Sequence, residues 1–309
     1  MTGGRRGGRG GERRVAEGWS GEPRDDEPGP WVDEPRDDEP GDEEPGHEEP
    51  GHEESLDGGR TGGAVRVGDT VRRTAGPWTS SVHALLAHLA AAGFAAAPRP
   101  LGFDALGREV LSFLPGRTVG MERPWPTWVY ADTSLDQVGL WMRRFHEAAA
   151  DFVPPADAIW RDGGRWTPGL VIGHNDAAPY NAAWQDGRLT GFFDWDFAGP
   201  VTREWDLAFT AFAWVPLSAR HRAAADGFTR IAARPRRLRR LLEAYGLDRT
   251  EAEFLDVVRA RLDAHVEGLT ARASAGEAAF ADLVGEGVAD DLRRARRELD
   301  DFAGYGPPD

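Results

Sequence analysis

Residues 171–196 read Val171-Ile172-Gly173-His174-Asn175-Asp176-Ala177-Ala178-Pro179-Tyr180-Asn181-Ala182-Ala183-Trp184-Gln185-Asp186-Gly187-Arg188-Leu189-Thr190-Gly191-Phe192-Phe193-Asp194-Trp195-Asp196. An apolar run enters a polar loop, and two further runs follow, joined by Asp186-Gly187. Asp-Gly between such runs signals a two-residue β-hairpin. Pairing Gln185 with Arg188 and counting back along both strands sets Asn181 opposite Phe192 and Pro179 opposite Asp194. Asn181 and Asp194 then meet at the open end of the hairpin, beside the loop that carries Asp176. Two carboxylates and an amide oxygen in one small volume suit magnesium, which takes hard oxygen ligands and leaves positions for water and phosphate. A carboxylate outside the metal set, here Asp176, suits the orientation and deprotonation of an attacking hydroxyl.

The order His174-Asn175-Asp176, four residues, Asn181, and then Phe193-Asp194-Trp195 after a hairpin resembles the catalytic and metal-binding motifs of the aminoglycoside phosphotransferase family. Asn175 stands where that family usually has Gly, and Phe193 where it usually has Ile. Arg203-Glu204-Trp205-Asp206-Leu207-Ala208 resembles the family's Asp-Leu-Ala helix, and Leu140 to His146 its Leu-His helix, with Phe145 for Leu. The resemblance implies an α+β, protein-kinase-like fold of two lobes, a small strand-rich N-lobe and a larger helical C-lobe. It also implies ATP-dependent transfer of a phosphoryl group to a hydroxyl of a small molecule, with Asp176 as base and Asn181 and Asp194 holding Mg2+. Asp206 would buttress the catalytic loop, His174 would steady it by hydrogen bonds, and Asp196 would lie on the same side as Asp194. Ser112, Phe113 and Leu114 would be the hinge against the adenine, and Arg72 the phosphate-facing cation of the small lobe.

Working outward, Ala64–Val67 and Thr70–Arg73 flank Gly68-Asp69 as a hairpin, and Val82, Leu85, Leu86 and Leu89 recur at helical spacing behind a cap at Thr79 or Ser80. Leu101–Asp104 and Glu109–Leu114 form a further strand pair. Residues 61–116 are therefore expected as the N-lobe and 117–309 as the C-lobe. The chain contains no Lys, so the strand Lys of kinase-like folds has no counterpart, and Arg72 and Arg73 are the candidates for its place. His83 stands where a helix acid would pair with it, and no Gly-rich loop of standard form is present. These departures keep open a nucleotide- or small-molecule-binding module without turnover.

The front of the chain differs in kind. Residues 1–60 hold 19 Asp and Glu against 8 Arg in Pro-Gly-punctuated units, and this composition predicts a disordered acidic tail. With no Cys, thiolate chemistry and disulfides are excluded. No apolar run follows the N-terminal arginines, so no membrane association is expected, and a cytoplasmic location is. Arg234, Arg236, Arg237, Arg239 and Arg240 read as a solvated helix face rather than a nucleic-acid site, because the rest of the chain is not basic. The twelve Trp are core and interlobe packing or a substrate wall. A metal-dependent glycosyltransferase using Asp194-Trp195-Asp196 ranks low, since no strand–helix nucleotide-binding repeat precedes it.

Overall fold

Alternation in the first ordered segment produces strands, and the strands produce one antiparallel sheet. The computed structural model describes residues 52–56, 63–120 and 123–302. In chain order the small lobe contains β1 (Glu54–Leu56), β2 (Ala64–Val67), β3 (Thr70–Arg73), α1 (Thr79–Ala91), β4 (Pro100–Phe103) and β5 (Glu109–Ser112). The sheet order is β1-β2-β3-β5-β4. The β2–β3 turn falls at Gly68-Asp69 as expected, with Val67 opposite Thr70.

Strand β1 corrects the tail boundary, because Leu56 pairs with Ala64 and Glu54 with Arg66 inside the stretch expected to be tail. Three residues on a sheet edge are too few to show a period-two pattern, so composition masked them. The remainder of the expected tail, residues 1–51 and 57–60, lies outside the described residues. In sequence, the connection from β1 to β2 carries Gly58, Gly59, Gly62 and Gly63, so a Gly-rich run joins two paired strands. Helix α1 buries Val82, Leu85, Leu86 and Leu89 as its spacing predicts. Its N-cap is Trp78 without a side-chain bond, and the Thr79 hydroxyl instead accepts the Gly76 N–H at 2.9 Å.

The large lobe begins with α2 (Asp132–Ala148) and β6 (Val171–Gly173), followed by a 3-10 turn (Pro179–Asn181), β7 (Ala182–Gln185), β8 (Arg188–Phe192) and β9 (Gly199–Val201). Then come α3 (Arg203–Trp214), α4 (Arg220–Ala225), α5 (Arg234–Tyr245), α6 (Glu251–Ser274), α7 (Ala278–Gly285) and α8 (Val288–Glu298). The capping box read from Thr250 and Glu253 opens α6. Helix α2 turns Leu135, Val138, Met142 and Phe145 inward, and it packs on α5 closely enough that a Cβ on Gly139 would sit 2.7 Å from that of Ala244. The arginine run of α5 divides. Arg236 and Arg240 pair with Asp132 and Asp136 of α2, whereas Arg237 is buried and donates to the carbonyls of Tyr130 and Trp214. That guanidinium satisfies carbonyls left open at helix ends, Trp214 closing α3 and Tyr130 a 3-10 turn, which a charge pattern alone does not reveal. Trp125 and Trp160 are buried and belong to the core.

The β7–β8 register differs from the count by one residue. Gln185 faces Arg188 and Trp184 faces Leu189, but Ala183 faces Gly191 and Ala182 faces Phe192. A bulge at Thr190 makes the shift. Its hydroxyl is within hydrogen-bond distance of the carbonyls of Ala183 and Pro115. Asn181 therefore lies one step beyond its expected place, and its carbonyl accepts the Phe193 N–H.

Candidate active site

Strands β6 and β9 form a short ladder, Val171 opposite Val201 and Gly173 opposite Gly199, and between them lie the catalytic loop and the hairpin. Gly173 ends β6 where a Cβ would meet Val201 Cγ2 at 2.6 Å and Asp206 Cγ at 2.8 Å. Only hydrogen fits there, and the gap lets the first turn of α3, capped by Thr202, push a carboxylate against the loop backbone. Asp206 is fully buried and accepts the N–H of His174 at 2.9 Å, the N–H of Asn175 at 2.7 Å and Nε2 of His146 at 2.9 Å. Burial would push this carboxyl up, but the His146 bond, the nearby imidazoles and the backbone donors outweigh it and hold Asp206 below the usual range. His146 is backed in turn by the Tyr245 hydroxyl at 2.8 Å.

Asn175 takes φ 63°. Asn is among the few non-glycine residues that adopt this left-handed conformation readily, so it can stand where the family has Gly. Its side-chain amide donates to the Phe197 carbonyl, tying the loop to the segment after β8. His174 is buried, with Nε2 at 3.2 Å from the Phe193 carbonyl and Nδ1 accepting the Asp176 N–H at 3.3 Å. Burial lowers its proton affinity, so the ring is a neutral brace.

Asp176 projects from this braced loop. Its Oδ1 accepts the Tyr180 hydroxyl at 2.8 Å, and its Oδ2 accepts Nδ2 of Asn181 at 2.8 Å. Burial first, and the Asp194 charge second, push Asp176 up to about 8. The same burial raises Tyr180, which stays a protonated donor. Because the Asn181 amide nitrogen donates to Asp176, its oxygen is the atom left to accept a hydrogen bond or ligate a cation. Asp194, at φ 61°, gives Oδ1 to Arg73, while Oδ2 accepts no hydrogen bond among the described residues. An amide oxygen and a carboxylate oxygen fit one magnesium whose other positions go to water and phosphate. Among the described residues no cluster of three or more His, Asp or Glu is arranged to enclose a cation.

Where the cation of the small lobe was expected at Arg72, the structure brings its neighbour. Arg72 faces outward to Asp104 at 3.9 Å. Arg73 reaches Asp194 Oδ1 at 2.9 Å, Asp196 Oδ1 at 2.6 Å and Glu109 Oε1 at 2.5 Å. Successive strand residues point to opposite faces, and Val71 marks the inward parity because it pairs with buried Leu111. Arg73 shares that parity and sits opposite buried Glu109. The ion pair that appeared missing is therefore present with a strand acid, and His83 reaches the second oxygen of Glu109 at 3.1 Å. Asp196 is closed on its other side by Arg161 at 3.0 Å. At the hinge, the N–H groups of Ser112 and Phe113 already donate to the carbonyls of Arg99 and Asp69, which leaves Leu114 as the amide of the three without such a bond among the described residues. Tyr180, Glu109 and Arg161 escaped the sequence reading, which offered Arg73 only beside the favoured Arg72; strand parity was the signal available for choosing Arg73 and for finding Glu109.

The sequence profile described as "Phosphotransferase enzyme family" matches residues 161–226, the stretch that holds this geometry. The trifolitoxin immunity protein of Rhizobium leguminosarum bv. trifolii is 40% identical over 199 residues, which is 63% of this chain and 74% of that protein. This chain belongs to the phosphotransferase enzyme family. Among solved structures, an amicoumacin kinase in complex with AMP-PNP, Ca2+ and Ami superposes with a TM-score of 0.57 at 12% identity, covering 83% of this chain and 90% of the kinase. The GDP complex of wild-type aminoglycoside 2'-phosphotransferase-IIIa superposes with a TM-score of 0.53 at 15% identity, covering 82% and 95%. At these identities the likeness is one of fold, and the fold of this phosphotransferase-family chain is the kinase-like α+β arrangement that the motifs implied. Among the described residues no helix is long and apolar enough to cross a membrane.

Proposed function

We propose that this chain is an ATP-dependent phosphotransferase of the cytoplasm that moves the terminal phosphoryl group to a hydroxyl of a small molecule. The observation that carries the reading is the Asp176 carboxylate, raised to about 8 and held between Tyr180 and Asn181 next to Asp194. A group with that proton affinity suits a base that must accept a hydroxyl proton near neutral pH. The acceptor hydroxyl would approach Asp176 Oδ1, where Tyr180 now donates. Its oxygen bonds to the terminal phosphorus, the bond from phosphorus to the bridging oxygen breaks, and the hydroxyl proton passes to Asp176. Asn181 and Asp194 would hold Mg2+, which when bound offsets charge on the nucleotide phosphates. Asp206 and His174 keep the loop fixed while this happens, and Leu114 at the hinge would offer its amide to the adenine.

A second reading is favoured by one observation. Arg73 engages both Asp194 and Asp196, and the chain has no Lys to serve in its stead, which would suit a module that binds a small molecule without turnover. The relative named as an immunity protein is compatible with either reading. The glycosyltransferase reading loses support because both oxygens of Asp196 are occupied by arginines. The deciding experiment pairs thermal-shift titration with Mg-ATP and a coupled ADP-release assay over hydroxylated acceptors, on wild type and Asp176→Asn. Acceptor-dependent ADP release that disappears in Asp176→Asn supports the transferase, whereas Mg-ATP binding with no release over any acceptor supports the module.

A further inference from the structure

Kinase-like sites commonly hold two divalent cations, with the aspartate after the hairpin and the loop asparagine as their protein ligands. A carboxylate that serves two ions gives an oxygen to each. Here Asp194 has Oδ1 on Arg73 Nη1 at 2.9 Å, which leaves Oδ2 alone for metal. Asp196, the neighbouring carboxylate, has Oδ1 on Arg73 Nη2 at 2.6 Å and Oδ2 on Arg161 Nη1 at 3.0 Å. The guanidinium that closes these oxygens is itself fixed. Its Nε edge lies against Glu109, which is 1% exposed and is also held by His83. A guanidinium does not lose its charge in a protein and offers a fork of donors matched to two carboxylate oxygens, so it can substitute for a cation as a point of charge.

Resting on the phosphotransferase reading, we propose that Arg73 is a built-in counter-ion standing in for the second divalent cation, so that the nucleotide enters with one metal ion, held by Asn181 Oδ1 and Asp194 Oδ2. The assignment explains why a chain without Lys keeps an arginine at this strand position and aims it at the aspartates. It also gives Arg161 a purpose, since this residue withdraws the last oxygen of Asp196 from metal binding. Arg73 is thus a positioning and charge-supplying residue on the metal side of the site.

The test counts metal ions rather than turnover. Mn2+ is titrated into the full chain with saturating AMP-PNP, a non-hydrolysable ATP analogue, and free Mn2+ is followed by electron paramagnetic resonance. Wild type is expected to bind one Mn2+ per chain, and Asp196→Asn is expected to leave that number unchanged. Arg73→Met, which frees an oxygen on each aspartate, is expected to bind two. Two ions on wild type, loss of the ion in Asp196→Asn, or one ion in a folded Arg73→Met that still binds AMP-PNP would each overturn the inference. Should Arg73→Met fail to fold, the wild-type count and Asp196→Asn still decide. No nucleotide-dependent Mn2+ binding at all overturns the phosphotransferase reading together with this one, whereas two ions on wild type removes this inference alone.

Discussion

Tyr180 donates its hydroxyl to Asp176 Oδ1 at 2.8 Å, so the oxygen proposed to receive the acceptor's proton is already in use. The bond favours the carboxylate, and its loss leaves burial and the Asp194 charge less opposed. In ligand-free protein, carboxyl 13C resonances should show one group titrating near 8 that vanishes in Asp176→Asn. Tyr180→Phe should move that titration upward. Asp176→Asn should lower turnover by about 10²- to 10⁴-fold while Mg-ATP still raises the melting temperature.

Asp176 also sets a sign for stability. Between the unfolded value of 3.8 and the folded value of about 8, the native protein keeps a proton that the unfolded chain has released. Stability from this group therefore falls as pH rises through that window, and the penalty is complete above it. Asp176→Asn should raise the melting temperature, and by more at pH 8.5 than at pH 5. An equal gain at both would show that the carboxyl is not raised.

Asp206 is the anchor of the loop, and its removal leaves two backbone N–H groups and His146 without their acceptor in a buried place. Asp206→Ala should cost about 3–5 kcal/mol in urea denaturation, the range for breaking one side of a buried charged pair. Gly173→Ala should cost about 1–3 kcal/mol by overpacking the same spot. The two substitutions touch the same carboxylate, so the double variant should cost less than the sum.

His265 on α6 lies with its ring centroid 5.9 Å from that of Phe209. Burial, and then the Arg261 charge, push it down to about 4 from 6.5. Between those values the unfolded chain holds the extra proton, so stability is lost as pH falls from about 6.5 toward 4. His265→Gln should flatten the dependence of the urea midpoint on pH between 7 and 4.5, and an unchanged slope would place the acid-sensitive group elsewhere.

What sequence could show here was set by the range over which each signal acts. Val82, Leu85, Leu86 and Leu89 announced α1, and Asp186-Gly187 announced the hairpin, because periodicity and turn chemistry are local. The bulge at Thr190 could not be counted, since no local signal marks it; beside it Gly191 comes so close to the Ala96 carbonyl that a Cβ there would lie only 2.3 Å away. Asp176, Asn181 and Asp194 were legible from motif order, and the structure brings them together. Glu109 was not, and Arg73 was legible only as one of two candidates with Arg72, because the choice depends on which strand face meets the other lobe. Strand β1 was hidden by its three-residue length and the acidic composition around it.

The same Ala96 carbonyl accepts Nε1 of Trp141 at 3.0 Å. Ser81 at the start of α1 accepts the Ile159 N–H, and His88 near its end lies 3.0 Å from the Ala148 carbonyl. The helix side of the small lobe is therefore riveted to the large lobe, whereas the strand side meets it through the Arg73 guanidinium. Any separation of β3 from the large lobe at this point must break the ion pairs of Arg73 with Asp194 and Asp196.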